Sequence, residues 1–295
     1  MHPDTSLGPV HLTVADTHRA MLFYGEVLGL RTLQGGNGPA TNGAATLTAD
    51  GKTPLLVLHE HPGARPKPPH TTGLYHYAML LPTRPDLARA LWRLSETRHP
   101  IEGASDHLVS EALYLADLDG NGIEIYADRP RDVWPRQGDR LRMATDPLDV
   151  EGLMRELKGT PVWQGLPAQT RIGHVHLHVA DLRRAEAFYH EVLGFDLMLH
   201  FGHSAAFLSA GGYHHHIGLN TWAGVGAPTP PPDAAGLRFF TVQLPDNGEL
   251  DALTARLAQV GVASEPQPEG LFVRDPSTNG ILVVTLASPY RALGA

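Results

Sequence analysis

The sequence predicts an α+β protein of four repeated units, each about strand–helix–strand–strand–strand, and three observations carry that expectation. Val10-His11-Leu-Thr-Val-Ala-Asp16 followed by Phe23-Tyr24-Gly-Glu26-Val-Leu-Gly29 returns as Val175-His176-Leu-His-Val-Ala-Asp181 followed by Phe188-Tyr189-His-Glu191-Val-Leu-Gly194. The match is too long for chance. A second unit type also occurs twice: Gly73 to Pro82, Asp86 to Leu94 and Asp117 to Tyr126 are echoed by Gly236 to Pro245, Leu250 to Val260 and Asp275 to Val283. Proline-rich joints, Pro62 to Pro69 and Pro228 to Pro232, separate neighbouring units, and a longer linker from Arg129 to Thr170 divides the chain.

In chain order this gives a first pair over 7–128 (module one 7–62, module two 73–128), a linker over 129–170, and a second pair over 171–287 (module three 171–224, module four 236–287). Within modules one and three, the first strand alternates Val, Leu and Val against His and a polar residue. An Asp then stands where an N-cap belongs, and a helix runs to a Gly. In module three, Leu182, Ala185, Phe188, Tyr189, Val192 and Leu193 recur at three- and four-residue steps, giving one apolar helical face. The linker holds one helical stretch, Asp149 to Leu157.

Composition narrows the function. A chain of 295 residues with 42% hydrophobic and 18% charged content reads as globular, with room for two ordinary domains. A net charge of −8 offers no basic face for nucleic acid or an anionic membrane. No run approaches membrane-spanning length and the N-terminus lacks a leader pattern, so a cytoplasmic location is expected. The absence of cysteine excludes disulfides, Cys-zinc sites, iron–sulfur clusters and thiol nucleophiles. The unusual count is 18 histidines, many of them inside strand-like runs.

The most informative stretch is Tyr114 to Tyr126, a turn at Asp117 to Gly122 between two apolar runs. Alternation puts Ile123 and Ile125 on one face and Glu124 and Tyr126 on the other. A carboxylate in mid-strand is exposed, paired or bound to a cation, because an unpaired buried charge is costly. His76 stands alike, one polar residue within Gly73 to Leu81. A lone strand histidine is usually an ordinary core or surface residue, but His76 and Glu124 at corresponding strand positions are two thirds of a metal site.

On these residues, Asn121-Gly-Ile-Glu124-Ile-Tyr126 above all, the chain from 8 to 287 resembles the vicinal-oxygen-chelate superfamily, and within it bacterial extradiol catechol dioxygenases. The resemblance implies βαβββ modules paired into two half-open mixed β-barrels. It also implies Fe(II), or Mn(II) in its place, held by two His and one Glu from the first strand of one module and the first and last strands of its partner. His76 and Glu124 fill the latter two roles; their echoes in module four, Phe239 and Leu282, cannot bind iron. The third ligand is then His11 of module one or His176 of module three. The resemblance further implies an acid–base histidine, matched by His215 in Tyr213-His214-His215-His216, and a tyrosine ten residues before the ligating Glu, matched by Tyr114. Module one offers no histidine near Thr53 to Leu58, so the full set favours module two against module three, with His176 as ligand. The same pairing can be completed across a homo-oligomer. If the histidine run lies on a strand, His215 points opposite to its neighbours. His178 and His107 are candidates for orienting ligands and substrate.

The implied reaction opens the ring of catechol, or a simple substituted catechol, beside its two hydroxyls with O2. A two-His, one-carboxylate set leaves three positions open for substrate and O2, and His215 would take a substrate proton and return it later. Two other readings stand beside this one. A glyoxalase-like isomerase or lyase would use His11, Glu60, His76 and Glu124 and would work with nickel or zinc without O2. A metal-free protein that binds a planar aromatic would have no need of His76.

Overall fold

The computed structural model describes residues 1–33, 44–138, 140–159 and 161–286; positions 34–43 of module one, 139 and 160 of the linker, and 287, the expected end of module four, lie outside the described residues. Module one is β1 (Ser6–Val14), α1 (Thr17–Leu22), β2 (Arg31–Thr32), β3 (Ala44–Thr48) and β4 (Pro54–Glu60). Module two is β5 (Gly73–Leu81), α2 (Arg84–Glu96), β6 (Gly103–Asp106), β7 (Ser110–Ala116) and β8 (Gly122–Asp128). The linker carries β9 (Arg136–Gln137), β10 (Arg140–Leu141), β11 (Asp146–Pro147) and α3 (Val150–Met154), a shorter helix than the sequence suggests. Module three is β12 (Arg171–His178), α4 (Leu182–Ala187), β13 (Asp196–Phe201), β14 (Ala205–Ser209) and β15 (Ile217–Asn220). Module four is β16 (Gly236–Leu244), α5 (Asn247–Gln259), β17 (Ser264–Gln267), β18 (Gly270–Arg274) and β19 (Gly280–Thr285).

Asp16 and Asp181 cap α1 and α4, their side chains accepting from the amides of Arg19 and Arg184 at 2.9 and 3.1 Å. Each helix then widens into a π-turn, Phe23–Val27 and Phe188–Val192, where a uniform helix is expected from the spacing. The wider turn buries Tyr24 and Tyr189. Tyr24 donates to Asp117 at 2.8 Å and Tyr189 to Asp275 at 3.2 Å, so each helix grips the turn of the following module. Asp117 also accepts from the amides of Asp119 and Asn121 at 2.9 and 2.8 Å, which folds the turn leading into β8.

The chain-order division into 7–128 and 171–287 is crossed by the sheets. One eight-stranded sheet runs β17-β18-β19-β16-β1-β4-β3-β2, joining modules four and one, and one nine-stranded sheet runs β11-β6-β7-β8-β5-β12-β15-β14-β13, joining modules two and three. In each, the first strands of the two modules meet antiparallel, β1 with β16 and β5 with β12, and each module's last strand lies parallel to its first. The outer faces of both sheets and the helices share one apolar core that includes Ile123, Ile125, Val175 and Phe240. Alternation therefore sends Glu124 and Tyr126 to the concave side.

Candidate metal centre

The centre of the nine-stranded sheet is the row β12-β5-β8. Across it His174 pairs with Ala78, and Ala78 with Glu124, while His76 pairs with His176. Strands two apart lie about 9.5 Å from each other, and the methyl group of Ala78 leaves space over which His174 and Glu124 meet. Nε2 of His174 and Nε2 of His76 each lie 3.0 Å from Oε2 of Glu124. All three side chains are buried, and their ligand atoms lie within 4.8 Å of one another, the one such group among the described residues.

A bulge aims this row. Ile172 pairs with Met79 and His174 with Ala78, so Gly173 stands unopposed. Ile172 consequently turns into the apolar core while His174, His176 and His178 share the concave face. Glycine is required there, since a Cβ would lie 1.8 Å from the Tyr126 hydroxyl, which in turn is 2.7 Å from that of Tyr213.

The donor set fits a divalent cation. Burial alone raises the Glu124 carboxyl, but the imidazoles of His174 and His76 more than offset this and hold it well below the usual carboxylate range. Burial lowers His174 to about 4 against the opposing pull of Glu124, so at neutral pH the pair is a carboxylate beside a neutral imidazole. Nε2 of His76, Nε2 of His176 and Nδ1 of His174 are buried and have no hydrogen-bond partner among the described residues. The His76 nitrogen faces Glu124 at contact distance without hydrogen-bond alignment. Such orphaned nitrogens are costly, and a cation between His76, His174 and Glu124 relieves that cost for the first of them.

The group opens on a cavity of about 410 Å³ whose walls include His76, Glu124, Tyr114, His215, His176 and Trp222. Nδ1 of His107 lies 2.7 Å from the Ala144 carbonyl and therefore carries the proton, leaving Nε2 to accept from Tyr114 at 2.5 Å. The linker thus reaches the site. His215 is set by a relay: Asp128 accepts from Nε2 of His214 at 2.9 Å, so Nδ1 of His214 is bare and accepts from Nδ1 of His215 at 2.8 Å. That leaves Nε2 of His215 as a basic nitrogen. Burial, then the neighbouring His174 and His214, hold His215 well below the ordinary histidine value.

Of the residues singled out in the sequence, His76, Glu124, Tyr114 and His215 gather on this cavity together with His176. The structure does not bring His176 into the three-residue group; His174, missed by sequence reasoning, occupies that place. His176 lies one pleat further along, its ring 5.1 Å from Tyr75 and 5.3 Å from Trp222. His11 lies in the other sheet, stacked on Phe239 at 3.9 Å with Nδ1 3.0 Å from Nε2 of His59. Glu60 accepts from the Thr17 amide at 2.9 Å at the start of α1, so the four-ligand set of the glyoxalase-like reading is not assembled. The run His214 to His216 precedes β15 and is not on a strand as expected; His214 is fully buried and His216 turns to Ser209 at 3.1 Å. His178 bonds Asn220 at 2.6 Å.

Paired βαβββ modules forming a curled sheet around an acid–imidazole cluster are the architecture of the vicinal-oxygen-chelate fold. The chain belongs to the glyoxalase/bleomycin resistance protein/dioxygenase superfamily, whose model matches residues 6–125 and 171–281. It is 47% identical over 289 residues to a catechol-2,3-dioxygenase of Bacillus subtilis (strain 168), covering 97% of this chain and 99% of that one. Two solved structures share the fold at low identity. A Bacillus subtilis protein described as a candidate dioxygenase has TM-score 0.65 at 14% identity, covering 97% of this chain and 86% of that one. Glyoxalase I from Zea mays has TM-score 0.59 at 16% identity, covering 97% and 94%. Among the described residues no helix is long and apolar enough to cross a membrane.

Proposed function

We propose that the protein is an extradiol dioxygenase that opens the ring of catechol, or a simple substituted catechol, with O2. One observation carries this reading: a two-His, one-carboxylate group shares a cavity with a basic imidazole and a half-buried phenol. The 47% identity to a catechol-2,3-dioxygenase supports it. His76, His174 and Glu124 would hold Fe(II), or Mn(II) in its place. Bound there, the ion would supply the redox chemistry that lets triplet O2 react with a singlet molecule.

The rest is done by the chain's own side chains. Trp222, Tyr75 and Phe207 line the cavity and offer flat apolar faces to the ring. Because Tyr114 gives its proton to His107, its oxygen is free to accept from a substrate hydroxyl. Nε2 of His215 takes the proton of a catechol hydroxyl, Nδ1 staying tied to His214. An imidazole held well below its ordinary value returns that proton readily, which suits a later protonation. The test is anaerobic loading with Fe(II), then catechol and air, monitored for the yellow ring-fission product. Glu124→Ala abolishes that colour under this reading. Conversion without metal, or full activity in Glu124→Ala, would overturn it.

A further inference from the structure

The eight-stranded barrel has a cavity of its own, of about 530 Å³. Phe239 and Leu282 line it, and they stand where His76 and Glu124 stand in the other barrel. Phe239 pairs with His11 as His76 pairs with His176, and Leu282 pairs with Thr241 as Glu124 pairs with Ala78. The positions equivalent to His76 and Glu124 are thus apolar, and with Phe272 they make an apolar floor carrying two aromatic rings.

The rim carries the opposite chemistry. Lys67, Arg238 and Arg274 line the cavity against one carboxylate, Glu265. Among the described residues none of the three cations forms an ion pair with Glu265 or any other carboxylate. Arg274 lies over the Phe272 ring at 5.0 Å and donates one N–H to the Thr278 carbonyl at 3.1 Å, leaving most of its five donors available. The stem of Lys67 runs over Gly73 and Gly236, where added Cβ atoms would lie 3.5 and 3.8 Å from its Cδ. Among the described residues its ammonium reaches only the Thr71 carbonyl, at 3.4 Å, and burial lowers its pKa. A half-buried ammonium with so little compensation invites an anion.

We infer that this second cavity is a binding site for a planar organic carboxylate, its ring or conjugated chain on Phe239 and Phe272 and its carboxylate between Lys67, Arg238 and Arg274. The site needs no metal. Conjugated carboxylates are also what ring opening beside a catechol's hydroxyls yields, so the product of the proposed reaction falls in this class, but the site stands on its own residues.

Fluorescence titration with 2-naphthoate tests it, with neutral 2-naphthamide as the control. Saturable 2-naphthoate binding is expected in the wild type and in Glu124→Gln. It should weaken about tenfold or more in Arg238→Gln and in Lys67→Gln, as loss of a charge-assisted contact implies. Ring cleavage in Arg238→Gln should stay at the wild-type rate. The inference is overturned if 2-naphthamide binds as tightly, if binding vanishes in Glu124→Gln yet survives both cation replacements, or if no saturable binding occurs at millimolar ligand. Retention in Glu124→Gln also separates this site from the metal centre, so failure of one reading is distinguishable from failure of the other.

Discussion

Apart from the linker strand β11, the two barrels have the same strand order and the same antiparallel pairing of first strands, yet they hold opposite chemistry at equivalent positions. In the nine-stranded barrel, His76 and Glu124 converge with His174. In the eight-stranded barrel those places hold Phe239, Leu282 and, opposite His174, Pro9, while His11 survives stacked on Phe239. The scaffold therefore fixes where a site can form, and three side chains decide what the site is. Pairing first strands across the chain, module two with three and one with four, puts His76, Glu124 and His174 in one barrel and their apolar counterparts in the other.

The sharpest break of the comparison is to remove the carboxylate. Glu124→Ala leaves His76 and His174 without their shared partner and is expected to abolish both stoichiometric metal and ring cleavage, whereas Leu282→Ala in the other barrel leaves both intact. Metal analysis beside the colour assay checks this. Next comes the relay. Asp128→Ala frees His214 to change tautomer, so His215 loses its fixed proton. Turnover should fall about 10²-fold, the lower range of general-base contributions, while metal content is unchanged; an unchanged rate would discard the relay.

A smaller effect is expected from Gly173→Ala. Its methyl would collide with the Tyr126 hydroxyl, and overpacking of this kind costs about 1–3 kcal/mol, measurable by urea unfolding. Smallest is a pH effect on the metal-free protein. Burial holds His174 at about 4 and His216 at about 3 in the fold, against about 6.5 when unfolded. Between those values the unfolded chain binds more protons, so stability falls as pH drops below 6.5. The melting temperature should fall accordingly from pH 6.5 to 4. Added metal should raise it, and a flat profile would contradict the neutral burial of these rings.

Much of this was legible in the sequence because repeats constrain it. Duplicated strand–helix patterns marked the modules, and the period-two alternation around Glu124 put that carboxylate on the face opposite Ile123 and Ile125. The same repetition kept His174 out of view as a candidate third ligand. Aligning His11 with His176 made the two rivals, but Pro9 occupies the position equivalent to His174, so no echo pointed there. His174 enters the site through a bulge at Gly173 and through its register with Ala78, neither of which a single chain's periodicity reveals. The alternation His174, His176, His178 was the available signal, marking a face with three imidazoles to choose from. The relay through Asp128 was beyond reach because it joins β8 to a turn 86 residues later.

The central claim is that His174, with His76 and Glu124, grips the metal. The most direct measurement is Fe(II) content of His174→Ala, His176→Ala and His11→Ala after identical anaerobic loading and desalting. The first should retain no iron, while the other two retain one equivalent per chain. Iron retained by His174→Ala and lost from His176→Ala or His11→Ala would contradict the assignment.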